Sequence, residues 1–197
     1  MAVPAATSPV YLLHVELLKT SNPYVSRTLR VPGSSTFKDL STAILVAFEW
    51  SYKTESTWFF CVLLRELSTA GLPFEDLKAL LTIVSNESPL VDNELEVGGW
   101  LECGETASLS HIFEAFRYRD RPPRYRPESN GAPFSIHVLG TVAMDNAIGI
   151  GYIGGQGHTL YEDWDSLYGG RSSWDLNNDV VRDHVARLNE KQGDDCV

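Results

Sequence analysis

Two β-rich runs around a proline break, followed at once by a capped helical repeat, constrain this chain more than any other feature. Val10 to Lys19 alternates imperfectly between apolar and polar residues, Ser21-Asn22-Pro23 interrupts it, and Tyr24 to Val31 resumes a β-rich pattern. This predicts an antiparallel pair. Pro32-Gly33 ends the pair, and Thr36 stands where it can cap a helix in which Phe37, Leu40, Ala43, Ile44, Ala47 and Phe48 recur at helical spacing. The fold class expected is α+β: a mixed sheet that opens with a β-hairpin and a crossing helix, with helices packed on the sheet.

Trp58 to Leu64 is a continuous apolar run of strand length, as expected of a central strand covered on both faces. Pro73 is expected to open a second helix that carries Phe74, Leu77, Leu80, Leu81 and Val84 on one face and closes over Asn86 to Pro89. Leu95 and Val97 form a short strand ahead of Gly98-Gly99. Leu109, Ile112, Phe113 and Phe116 suit a short helix, while Phe116 and Tyr118 fit a strand of period two equally well. Arg121 to Pro133 contains four of the ten prolines together with Asn130-Gly131 and reads as a loop. Phe134, Ile136 and Val138 alternate in a strand, a glycine-rich segment runs to Gly170, and Asp175 to Gln192 reads as an amphipathic helix that uses Val181, Val185 and Leu188. No internal repeat is visible. A single domain is expected over 10–189, with tails at 1–9 and 190–197.

The segments VYLLHVELL and PYVSRTLRVPGSSTFKDLSTAILVAFEW carry a pattern of strand, proline, Val-x-Arg strand, Val-Pro-Gly turn and a helix that ends in Phe-x-Trp, here Phe48 and Trp50. In these residues the chain resembles the plasmid pRiA4b ORF-3-like family, small proteins generally of unknown function. Leu109 to Phe113, the later strand IHVLG, and Glu162-Asp163 with Gly169-Gly170 extend the likeness through most of Val10 to Gly170. Where the family commonly reads His-Leu-His-x-Phe, this chain reads Ser56-Thr57-Trp58-Phe59-Phe60, and Thr159 stands near the place of a family cysteine. The resemblance implies a hairpin followed by a helix across a sheet, similar to the opening of a β-grasp fold. It implies no reaction.

At 197 residues one core is enough, and 43% hydrophobic with 11% aromatic residues excludes a disordered chain. No apolar run approaches the ~20 residues of a membrane-spanning helix. Met1 to Pro9 lacks a basic leader and a following apolar core, so export is not expected. Cys61, Cys103 and Cys196 are widely separated, odd in number and without a C-x-x-C pair, which fits reduced thiols in the cytoplasm and Cys61 as a small core hydrophobe. The formal charge of -10 argues against a phosphate backbone as partner. The bases are nevertheless partly gathered: Arg117, Arg119, Arg121, Arg124 and Arg126 fall in one stretch with Asp120 as its only acid. With Tyr118 and Tyr125 interleaved, that stretch has the chemistry to hold single-stranded nucleic acid. The plainer reading is a surface loop paired with the protein's own acids.

Gly149-Ile150-Gly151-Tyr152-Ile153-Gly154 matches G-x-G-x-x-G, but Gly155-Gln156-Gly157 prevents a helix from starting after it. A flexible or bulged loop is expected instead of a dinucleotide site. His158 and Glu162 would share a helical face, with Asp163 and Asp165 close by, a spacing that suits a divalent ion and equally a solvated acidic loop. Asp175, Asp179 and Asp183 have the spacing of a solvated helix face, and His184 is expected to pack at its apolar edge. His111 and His137 show no base or nucleophile partner.

The reading favoured by these residues is a non-catalytic binding or interaction module for an unidentified protein or small molecule, without membrane, cofactor or assigned metal. Its ligand-binding candidates are Trp50, Trp58, Tyr152, His158, Glu162 and Asp163. The competing class is a small cofactor-free isomerase or cyclase with Trp50, Trp58, Tyr152 and His158 lining an aromatic pocket and Glu162 or Asp163 as acid or base. A nucleic-acid-associated protein using the arginine stretch is the third.

Overall fold

The computed structural model describes residues 9–17, 25–49, 57–63, 79–86, 100–116, 124–127, 134–142, 149–157 and 178–194. In chain order the elements are β1 (Val10–Leu17), β2 (Ser26–Pro32), α1 (Phe37–Ala47), β3 (Trp58–Leu63), β4 (Ala79–Val84) and β5 (Trp100–Cys103). They continue with α2 (Leu109–Phe116), β6 (Arg124–Pro127), β7 (Phe134–Val142), β8 (Gly151–Gln156) and α3 (Asn178–Asp194). The described strands form one sheet in the order β5-β4-β3-β6-β7-β1-β2-β8. β4 and β5 run parallel and every other neighbouring pair is antiparallel, so the fold is α+β with a mixed sheet.

The opening hairpin follows its alternation. Tyr11, Leu13, Val15 and Leu17 are buried while Leu12, His14 and Glu16 are only partly so. All three described helices lie against the first face. Tyr11 meets Phe113 of α2 edge to face at 4.9 Å. Phe37 of α1 meets Phe60 of β3 at 5.0 Å and Phe113 at 6.1 Å. Val181 and Val185 of α3 enter the same core. These edge-to-face contacts tie α1 and α2 to both halves of the sheet, where the backbone seam between β6 and β7 pairs only Arg124↔Ser135 and Tyr125↔Phe134.

The N-terminal ends of α1 and α2 satisfy one another. Phe37 and Lys38 donate their N–H groups to the carbonyls of Ala107 (3.2 Å) and Gly104 (3.1 Å). Leu109 and Ser110 donate theirs to Ser35 and Gly33, both at 2.9 Å. Thr36 Oγ1 accepts from Asp39 N at 3.2 Å and the Asp39 carboxylate accepts from Thr36 N at 2.8 Å, a complete capping box. The orphan donors that open every helix are thus paired with backbone and with a local side chain. Gly33 is required at this crossing: a Cβ there would overlap the Ser110 hydroxyl and lie 2.8 Å from the Pro9 carbonyl oxygen.

Four sequence expectations are corrected. Ala79–Val84 is a strand, not the end of a helix. Leu81, Thr82, Ile83 and Val84 are all buried between β3 and β5, and a short apolar run covered on both faces looks alike in either structure. Pro73 to Lys78 and the Leu95–Val97 strand lie outside the described residues. Arg124–Pro127 is a strand within the expected loop, its residues pairing with both β3 and β7. The glycine-rich G-x-G-x-x-G stretch is mostly edge strand β8, with a bulge opposite Thr28/Leu29. His184 is exposed. Phe116 ends α2, while Tyr118 is outside the described residues.

Candidate functional site

The C-terminal end of α1 is built differently from its start. Arg27 of β2 takes the inward face shared by Leu29 and Val31, and it is fully buried. Its Nε donates to the carbonyl of Ala47, the last residue of α1, at 2.8 Å. Its Nη1 donates to the carbonyls of Ser26 (2.7 Å), Gln156 (3.0 Å) and Gly157 (3.0 Å). The guanidinium carbon stands 4.7 Å from the centre of the Phe48 ring. A cation is well placed where a helix presents unpaired carbonyls and the negative end of its dipole. Even so, Nη2 is buried with no hydrogen-bond partner. Among the described residues no carboxylate hydrogen-bonds to this arginine. Burial lowers its pKa, with Tyr152 and then Glu49 acting in the opposite sense.

A strained backbone residue stands at the same place. Glu49 follows α1 with φ 59°, the left-handed region that normally selects glycine. Gly157, which supplies one of the arginine's carbonyls, has φ 70°. On β8, Tyr152 is buried and donates its hydroxyl to Asn178 Oδ1 of α3 at 2.6 Å. Burial raises the Tyr152 hydroxyl above the ordinary tyrosine value, and the charges of Arg27 and Arg182 pull the other way. Gly155 makes room for both groups: a Cβ there would lie 2.5 Å from the Ser26 carbonyl oxygen, 2.8 Å from Arg27 Cδ and 2.9 Å from the Tyr152 hydroxyl. Asn189 pins the same helix to the start of β8 by bonding Ile150 N and O, each at 2.9 Å. Arg27, Phe48, Glu49, Tyr152 and Asn178 therefore converge from β2, α1, β8 and α3.

The opposite face of β7-β1-β2-β8 has none of the described helices upon it. His14 and His137 are cross-strand partners, and both approach the Glu16 carboxylate, at 3.4 and 3.6 Å. His14 Nδ1 also bonds Thr28 Oγ1 (3.2 Å), and Ser135 Oγ bonds His137 Nε2 (3.0 Å). His137 thus has the partners that sequence reading missed. At His137, serine and carboxylate meet the same ring nitrogen, so this ring does not form the relay of a hydrolytic triad, which uses both nitrogens. Among the described residues no group of His, Cys, Asp or Glu is arranged to hold a metal ion. Leu139 and Ile153, at register shifts on interior strand β7 and edge strand β8, are 58% and 52% exposed.

Of the residues singled out by sequence, Tyr152 lies at the convergence point. Trp58 does not: it packs on Phe60 in β3, and β6, β7, β1 and β2 separate that strand from β8. Trp50, His158, Glu162 and Asp163 lie outside the described residues, as do Arg117, Arg119 and Arg121; Arg124 and Arg126 belong to β6. Trp50 and His158 are the chain neighbours of Glu49 and Gly157. Arg27 was missed as a site residue. Its signal was the register, an arginine at a core parity between Val25 and Leu29.

No family model matches the chain, and no curated protein is significantly similar to it. Among solved structures it resembles a protein of unknown function, MM3350 from Methanosarcina mazei Go1, with a TM-score of 0.53 and 18% identity. The match covers 80% of this chain and 75% of that one and speaks for the fold alone. Among the described residues no helix is long and apolar enough to cross a membrane.

Proposed function

We propose that this protein is a non-catalytic binding module of the plasmid pRiA4b ORF-3-like type, which takes a small ligand where α1, β2, β8 and α3 converge. The observation that carries the reading is Arg27, the one charged side chain among the described buried residues, with buried Tyr152 and the strained Glu49 beside it. Strain of this kind costs about 1–3 kcal/mol and collects at sites where geometry serves a ligand. The opening residue pattern supports the family, and free Cys61 and Cys103 are in keeping with a reducing cytoplasmic setting. Native mass spectrometry of the freshly purified chain tests the function. A retained small-molecule mass, lost on mild denaturation and reduced in Tyr152→Phe, is the expected result. A bare mass together with no thermal shift against a small-molecule panel contradicts it.

A second reading, a protein-docking surface on the helix-free sheet face, is favoured by the exposed Leu139 and Ile153. Replacing both with Ser would then weaken partner association and leave small-ligand retention unchanged. The enzyme and nucleic-acid alternatives draw on Glu162, Asp163 and the Arg117 to Arg126 stretch. Of this convergence the enzyme alternative uses Tyr152 alone, and the nucleic-acid alternative uses no residue.

A further inference from the structure

We infer that Arg27 seats the carboxylate of a small monoanionic ligand through Nη2, with Tyr152 beside it. The inference deepens the binding-module reading and rests on it. Three features support it. The guanidinium is fully buried, and its four described hydrogen bonds all go to backbone carbonyls, which leaves its positive charge without an anion bonded to it. Those bonds use Nε and Nη1, so the two N–H groups of Nη2 remain, buried and unmatched. A buried donor left unmade is costly, and an ionised acceptor is the partner that recovers most from it.

The third feature is charge. A formal charge of -10 on the chain repels a dianion about twice as strongly as a monoanion, so a carboxylate fits better than a phosphate monoester. Gly155 contributes by the side chain it lacks, because any Cβ would press on the arginine stem and the Tyr152 hydroxyl together. The purely structural alternative is that Arg27 only caps α1 and ties down β8.

The test is NMR of the whole chain labelled with 15N arginine and 13C tyrosine, titrated with sodium acetate and sodium benzoate. Benzamide, sodium chloride and inorganic phosphate serve as comparison probes. Benzoate is expected to move the Arg27 side-chain resonances saturably and to bind roughly tenfold or more tightly than benzamide, the effect of one charge-assisted hydrogen bond. The same titration on Tyr152→Phe, which keeps all four carbonyl bonds, guards against an Arg27→Lys variant that fails to fold. Equal binding of benzoate and benzamide, or tighter binding of phosphate than acetate at Arg27, overturns the carboxylate assignment. If the neutral amide alone moves Tyr152, the assignment falls and the binding site stands. If no probe moves either residue, both fall.

Discussion

The two ends of α1 solve one physical problem in different ways. At its start, the free N–H groups are paired by backbone carbonyls from the β5–α2 turn and by the Thr36–Asp39 capping box, all local or reciprocal and mostly neutral. At its end, the Ala47 carbonyl is met by one buried cation from β2, which also holds the carbonyls of Gln156 and Gly157 and keeps one nitrogen unmatched. The first arrangement matches every backbone N–H that opens α1 and α2. The second leaves a charged donor unmatched, and it sits beside the strained Glu49 and a buried tyrosine. An incomplete buried polar arrangement is where an external group has something to gain by binding.

The comparison can be broken most forcefully at Arg27. Arg27→Leu removes the donors of four carbonyls, two in buried and two in part-buried bonds, and is expected to cost about 3–5 kcal/mol in urea unfolding. Gly155→Ala, which presses on Ser26, Arg27 and Tyr152, is expected to cost about 1–3 kcal/mol, whereas Gly154→Ala meets nothing within 4 Å and should cost less. At the opposite end, Thr36→Ala should lose about 1 kcal/mol by thermal denaturation, with no change in ligand retention.

The smallest effect at neutral pH is expected from Tyr152→Phe, about 0.5–1.5 kcal/mol for its bond to Asn178. Its sharper signature is alkaline. The folded protein holds the Tyr152 proton more tightly than the unfolded chain does, because burial outweighs the pull of Arg27 and Arg182. The stability this contributes is fully present below the unfolded tyrosine value of about 10 and is lost as pH rises through the raised folded value. Tyr11 is raised in the same sense. Stability measured above about pH 10 should therefore fall less steeply in Tyr152→Phe than in the native chain, the remaining slope including Tyr11.

What the sequence made legible were the features whose causes are local. Thr36 and the helical repeat after it specify α1 because cap and periodicity are neighbours in the chain, and the alternation of β1 reads directly as inward and outward faces. β4 was misread because Leu80, Leu81 and Val84 suit helical spacing, and only its flanking by β3 and β5 decides the matter. β6 was missed because its prolines mark ends: Pro127 closes the strand, and the pairing that makes Arg124 to Arg126 extended comes from β3 and β7. The site was the least legible part. An arginine in a β-rich run looks solvated until its neighbours fix its parity, and the carbonyls it meets come from α1 and from β8, about 130 residues away. Tyr152 was named as a binding residue from its aromatic character, while its fixed partner, Asn178, carries no motif at all.

The most direct measurement is the rise in melting temperature that saturating benzoate gives to the native chain, Thr36→Ala and Tyr152→Phe, each against benzamide. A ligand that binds only the folded state stabilises by RT ln(1 + [L]/Kd), so the shift, converted with each variant's own unfolding entropy, reads affinity at the site. The expected result is a benzoate-specific rise that is alike in the native chain and Thr36→Ala and smaller in Tyr152→Phe. A rise equal in all three, or none that distinguishes benzoate from benzamide, contradicts the placing of a carboxylate site at the C-terminal end of α1.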